Sequence, residues 1–222
     1  YKYAYVDTHF HMDTLTDVLN SDQDLSNVSQ SLPDNYDGFI AVFSNPSTFD
    51  AECSEVLRST LNNTKMRYVM GCAPKYADHF NFSQIDEFQM ALYAKNVIAV
   101  GPCGLDCTIK LDMGLQRTVF KLQIEIAAEM GLPLVIQSKM ADLDCLDLLE
   151  RLTPSTQKIH IQGFEGDDNT ANCWMSSFPN VYFGLTPVIG DSATPTYIKD
   201  MVRSIPLNRV LLESGAPHFV PE

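Results

Sequence analysis

The chain is poor in positive charge and has no long apolar run. Lysine and arginine number 15 against 28 aspartates and glutamates, a formal net charge of −13 over 222 residues. Such a field repels phosphate backbones at long range, so a broad nucleic-acid surface is not expected; a local basic pocket remains compatible with it. No stretch approaches the ~20 apolar residues needed to cross a bilayer. No signal-peptide pattern opens the chain, and it begins at Tyr1 rather than Met, which reads as a processed or trimmed piece. No CxxC pair occurs, which excludes a zinc ribbon or a thioredoxin-like motif. The six cysteines, Cys53, Cys72, Cys103, Cys107, Cys145 and Cys173, are widely spread and read as free thiols. N-glycosylation sequons begin at Asn27, Asn62 and Asn81, about as many as chance supplies. The expectation is a soluble protein, inside the cell rather than outside it, with the compartment left open. Repeats, low-complexity tracts and linkers are also missing, so residues 1–222 are expected to form one domain.

What is present is a rhythm. Short runs rich in Val, Ile and aromatics lie at 3–8, 38–44, 66–71, 97–101, 133–137, 158–162, 180–185 and 209–214, each bounded by Gly, Pro or Asn. Helical patterns fall between them. The clearest covers 114–130, where Val119, Leu122, Ile126 and Met130 step along one face until Gly131 stops it. Others cover 141–151 and, more weakly, 48–61, 84–94 and 195–204. Eight strands alternating with helices suit a parallel (β/α) barrel, and a doubly wound sheet nearly as well. In a barrel, chemistry collects at the C-terminal strand ends.

At the end of the first run, Asp7, His9 and His11 alternate, which puts three side chains on one face of a regular strand. Two imidazoles so placed can share a metal ion, and a nearby carboxylate can orient a ring. The other strand ends offer Pro102, Gln137, Gln162 and Gly215.

The stretches DTHFHMD (7–13), AVGPCGLD (99–106), GLPLVIQSKMAD (131–142), KIHIQGFEG (158–166) and PLNRVLLESGAP (206–217) are collinear and properly spaced. Together they resemble the TatD-type metal-dependent deoxyribonucleases, within the amidohydrolase-like barrels. GCAPKYA (71–77) and PNVYFGLTPV (179–188) bring the animal branch nearest. The resemblance implies a (β/α)8 TIM barrel with a two-metal site. Its usual ligands are two histidines on strand one, a glutamate on strand four, histidines on strands five and six, and an aspartate after strand eight. Here only His9 and His11 match. Pro102 holds the glutamate position, Gln137 and Gln162 the histidine positions, and Gly215 the aspartate position. Proline has no donor to offer, and an amide is a poor exchange for imidazole or carboxylate. Two family phosphate contacts are altered as well. Lys139 replaces an arginine, and Ala73 and Lys75 replace histidines, leaving Lys139 and Lys75 as candidate anion contacts.

These substitutions lead to the expectation of a pseudoenzyme, a barrel kept for binding or structure, with no cofactor. The alternative is a hydrolase of phosphoesters with a reduced site, in which one weakly bound Zn, Mg or Mn on His9 and His11 is helped by a rim acid, Asp106 or Glu213. His160, one pleat deeper than Gln162, and Cys103, beside Pro102, are the weaker substitute donors. The resemblance also implies a last outer helix, of which residues 215–222 show no sign. Val210 and Leu212 with Ala4 and Val6 would then form an uncovered apolar stripe. The expected partner is another protein chain or a second copy over that wall, and nucleic acid is not expected.

Overall fold

The computed structural model describes residues 3–11, 14, 35–49 and 66–218. The helix expected over 48–61, Cys53 and the sequons at Asn27 and Asn62 fall wholly or mostly outside them. Eight parallel strands form one sheet in sequential order, a nearly closed barrel. They are β1 (Tyr5–His11), β2 (Tyr36–Phe43), β3 (Met66–Met70), β4 (Val97–Asp106), β5 (Leu134–Lys139), β6 (Ile159–Ile161), β7 (Val181–Leu185) and β8 (Val210–Leu212). The described helices are α1 (Ile85–Leu92), α2 (Met113–Met130), α3 (Asp142–Leu152), α4 (Asp168–Ser177) and α5 (Thr196–Ser204). None of them is long and apolar enough to cross a membrane.

Two departures from regular pairing shape the mouth. In β1, Asp7 pairs with Phe39 but Phe10 with Ala41, so β1 carries one extra residue at Thr8–His9. In β4, Val100 pairs with Leu134 but Cys103 with Ile136, so Gly101 and Pro102 together oppose Val135. A proline cannot donate to a ladder, and an irregularity of this kind is where a sheet tolerates one.

The helices pack their apolar stripes on the barrel wall. Trp174, Phe120, Phe88, Leu149 and Ile124 are fully buried there. Inside the barrel, Val42, Val69, Ala99 and Val135 form a separate small layer. Val135 shares the β5 face that carries Gln137.

Helix α2 does more than pack. Asp112 caps it, accepting from Leu115 N at 2.7 Å, and Gly131 ends it at φ 65°. Two of its glutamines are buried and pin the mouth. Gln123 accepts from Cys72 N at 2.7 Å and donates to Cys72 O at 3.1 Å, fixing the chain after β3. Gln116 accepts from Asp106 N at 2.8 Å and donates to Asp106 O at 3.2 Å, fixing the end of β4.

No strand ladder joins β8 to β1 among the described residues. Their upper ends are nonetheless stitched. Gly215 N donates to His9 O at 3.0 Å and His11 N to Ala216 O at 2.8 Å. Ser214 N donates to Asp7 Oδ1 at 3.0 Å, and Thr8 Oγ1 to Leu212 O at 2.9 Å. Lower down, the seam opens into an apolar cleft of about 490 Å3 lined by Tyr5, Val6, Phe10, Tyr36, Phe39 and Leu212. Val6 is 41% and Leu212 59% exposed, whereas Val210 is half-buried against the core, so among the described residues only part of the stripe expected from the sequence lies open.

Candidate functional site

A second pocket, about 260 Å3, occupies the C-terminal mouth of the barrel. It gathers His9, His11, Gln137, Gln162, Lys75, Lys139, Glu213, Gly215 and His218. The smaller, polar pocket is the one with chemistry, and the larger seam cleft is nearly all apolar. Strand ends far apart in sequence therefore converge on one pocket.

Four of the five histidines lie here. His9 is 1% exposed, and its ring centroid stands 4.8 Å from that of His11 and 6.4 Å from that of His160. His11 stands 4.8 Å from His218. Burial pushes the His9 imidazole well below its ordinary pKa, and the neighbouring imidazoles of His11, His160 and His218 push it further. A neutral imidazole is the form that binds metal.

Beneath His9, His160 Nε2 lies 2.6 Å from Glu213 Oε1. The contact has ion-pair distance, but the ring N–H is not aimed along it, so neither atom has a hydrogen-bond partner. The other carboxylate oxygen is fixed, Oε2 accepting from Gly163 N at 2.9 Å. Space for the pair comes from Gly184 on β7. A Cβ there would overlap the Glu213 carboxylate and stand 2.6 Å from His160 Nε2.

Seven buried side-chain polar atoms lack partners among the described residues, and five of them belong to His9, His160, Gln162 and Glu213. Such atoms are costly unless something satisfies them. Their concentration at one place, with imidazole and carboxylate as donors, fits a borderline divalent cation such as zinc. Among the described residues no three His, Cys, Asp or Glu side chains are already drawn around one point, so a bound ion would have to turn the rings.

Several expectations need correcting. Asp7 does not share the mouth with His9 and His11. The extra residue at Thr8–His9 breaks the alternation, and the carboxylate turns into the seam, accepting from His9 N at 3.1 Å as well as from Ser214 N. Burial raises its pKa, against the lowering effect of the Ser214 bonds. Asp106 is occupied in its own turn, accepting from Thr108 N at 2.8 Å and Thr108 Oγ1 at 2.5 Å. Cys103 is wholly buried against Val135 O, its thiol pushed far up by burial, and does not line the pocket. Pro102 is buried in the β4 irregularity. Lys139 reaches the pocket but pairs with Glu165 at 3.1 Å, and Lys75 lies over the Tyr76 ring at 4.6 Å.

Glu213 lies at the pocket floor rather than the rim. His218 and Gly184 were not picked out from the sequence at all. His218 lies in an irregular turn after β8, where periodicity carries no information, and a glycine that makes room for a distant pair leaves no local mark.

The class is that of the eight-stranded parallel (β/α) barrels with a polar pocket at the C-terminal mouth. The particular family is TatD related DNase: its model matches residues 6–222, and the chain belongs to that family. The human protein described as 3'-5' RNA nuclease TATDN2 is 31% identical over 225 residues, 98% of this chain and 29% of that one. An uncharacterized metal-dependent hydrolase of Buchnera aphidicola is 26% identical over 223 residues, 97% of this chain and 82% of that one. The 3'-5' ssDNA/RNA exonuclease TatD of Enterobacter lignolyticus is 31% identical over 137 residues, 58% of this chain and 49% of that one. The chain thus spans less than a third of the human relative's length. In fold, it is similar to the TatD homologue YJJV of Escherichia coli, with a TM-score of 0.80 at 22% identity over 98% of this chain and 81% of that one.

These relatives overturn two expectations from the sequence. Relatives named as nucleases and a metal-dependent hydrolase contradict a pseudoenzyme, and they contradict the absence of a cofactor. The mouth keeps imidazoles and a carboxylate from positions beside the substituted ones: His218 and Glu213 line the pocket, and His160 lies against Glu213.

Proposed function

We propose that this chain is a metal-dependent phosphodiester hydrolase acting on the end of a single-stranded nucleic acid, with one divalent cation held at the barrel mouth. The observation that carries the reading is the group of buried, unpartnered donors on His9, His160 and Glu213 at the mouth. Nuclease relatives supply the reaction class. His9 and His11 would hold the ion, which supplies Lewis acidity toward a phosphoryl oxygen and a more acidic water.

The chain's own residues do the rest. Glu213 Oε1 accepts the proton of the attacking water as that water's oxygen bonds phosphorus and the bond to the leaving oxygen breaks, and His160 Nε2, 2.6 Å away, relays the proton toward the leaving oxygen. The Gly163 amide keeps the carboxylate aimed by holding Oε2. Lys139 and Lys75 at the pocket edge meet the phosphate as point charges once Lys139 leaves Glu165. A net charge of −13 gives the chain no long basic track. A small pocket with two lysines therefore suits a strand end better than the middle of a duplex.

The test is hydrolysis of a 5'-labelled single-stranded RNA or DNA with manganese, magnesium or zinc. Stepwise shortening from the 3' end that disappears in His9→Ala and in Glu213→Gln is the expected result. Full activity in both variants would overturn the reading.

We also infer that residues 1–222 act as one barrel unit. The seam cleft between β1 and β8 favours cover by a further protein segment, because Val6 and Leu212 otherwise remain wet.

A further inference from the structure

We propose that His218 is the third protein ligand of the metal ion, completing a three-imidazole site with His9 and His11. This rests on the metal-dependent reading above and adds the donor that the usual family positions do not supply here.

The spacing carries it. At a metal–nitrogen distance of about 2.0–2.1 Å, two imidazoles on one ion at near-tetrahedral angles have ring centroids on the order of 5 Å apart. His9–His11 and His11–His218 are both at 4.8 Å, with the rings crossed at 77° and 70°. His160 is set apart from them because its Nε2 already faces Glu213. His9 supplies the second observation: its side chain is buried, lines the same pocket, and leaves both ring nitrogens without a partner.

The backbone explains how His218 gets there. Gly215 holds φ 58°, in the left-handed region that favours glycine over an aspartate. The turn is closed by His218 N donating to Gly215 O at 2.9 Å. It is held against β1 by the bonds from Gly215 N to His9 O and from His11 N to Ala216 O. The glycine that removes a carboxylate therefore makes the turn that returns an imidazole three residues later. Three protein ligands with a fourth position open is the arrangement of catalytic zinc sites. Glu213 lines the same pocket as the three imidazoles.

Cobalt(II) titration of the purified chain, followed by visible absorption and equilibrium dialysis, tests this without any substrate. One cobalt per chain is expected, with the intense bands of a four-coordinate site. His218→Ala should weaken binding by at least about tenfold, while His160→Ala and Gln162→Ala change it less than about threefold. His218→Cys should keep cobalt and add a thiolate charge-transfer band, which a merely misfolded turn would not do. Unchanged affinity and spectrum in His218→Ala overturn the proposal, as does a wild-type chain that takes up no cobalt. If His218→Ala loses cobalt while the wild type, metal-loaded, cleaves no RNA or DNA, the ligand assignment stands and the nuclease reading fails. If nuclease activity and cobalt both survive in His218→Ala, the reverse holds.

Discussion

The two sides of the barrel mouth differ in kind. On the β1–β8 side, His9, His11, His218 and Glu213 crowd together, with His160 beneath. On the β4–β5 side, Pro102 is folded into the sheet, and Gln137 and Lys139 present an amide and an ammonium. One side can bind a cation; the other can at best orient or neutralise an anion. A site built for two ions needs both sides. This mouth has donors on one, which favours a single ion near β1 and leaves the β5 corner to the substrate phosphate.

The largest test of this asymmetry is kinetic. Glu213→Gln keeps the shape of the pocket but removes the proton acceptor, and should lower the rate of single-strand hydrolysis by about 10²–10⁴-fold. Gln137→Ala, on the opposite side, should leave the rate within a few-fold. Equal losses in the two variants, measured as kcat/KM on a labelled oligonucleotide, would remove the distinction between the sides.

Next in size is the packing on which the β8 side depends. Gly184→Ala drives a methyl into the Glu213 carboxylate and the His160 ring, and the carboxylate cannot move away without breaking the Gly163–Glu213 bond. Overpacking of this kind costs about 1–3 kcal/mol. Urea unfolding should show that loss in Gly184→Ala and little change in Gly190→Ala, where an added Cβ meets nothing within 4 Å. Equal midpoints would mean that the pair has room to spare.

These residues also show what the sequence could reveal. All eight strands stand close to where apolar runs and turn residues put them, because a barrel strand needs only β-branched and aromatic residues between breakers. The position of His9 and His11 followed from the apolar run that leads into them, and the substitutions at 102, 137, 162 and 215 from the collinear motifs that the chain shares with its family. The failures came where regularity fails. One extra residue in β1 sent Asp7 to the seam. A positive φ at Gly215 brought His218 back over His11. Gly184 matters only because two other strands send side chains across it. Each is a backbone irregularity or an absent side chain, and neither has a period to detect.

The buried histidine makes a third prediction, about pH. His9 is neutral in the folded chain because burial lowers its pKa, whereas in the unfolded chain it takes a proton near 6.5. The unfolded state therefore binds more protons below that pH. The stability that depends on neutral His9 is complete above pH 6.5 and is lost as pH falls below it, by up to about 1.4 kcal/mol per unit. Unfolding free energies measured between pH 7.5 and 5.5 should fall with that slope, and His9→Gln should flatten it. An unchanged slope in His9→Gln would assign the proton uptake elsewhere, away from the β1 side.

The smallest expected effect on stability concerns the seam, the apolar counterpart of the mouth. Leu212 is 59% exposed and lines the open cleft with Val6 and Phe10. In the isolated chain its side chain gains little from burial, so Leu212→Ser should shift the unfolding free energy by no more than about 0.5 kcal/mol. Its effect should appear in association instead. If a protein segment covers the cleft, removing the isobutyl group forfeits part of the ~1.5–3 kcal/mol that burying a leucine provides. Binding of a hydrophobic dye, or self-association seen by light scattering, should drop in Leu212→Ser while the unfolding midpoint and the metal affinity stay fixed. A large loss of stability would mean that Leu212 is packed within the chain, and the seam would then be closed rather than waiting for cover.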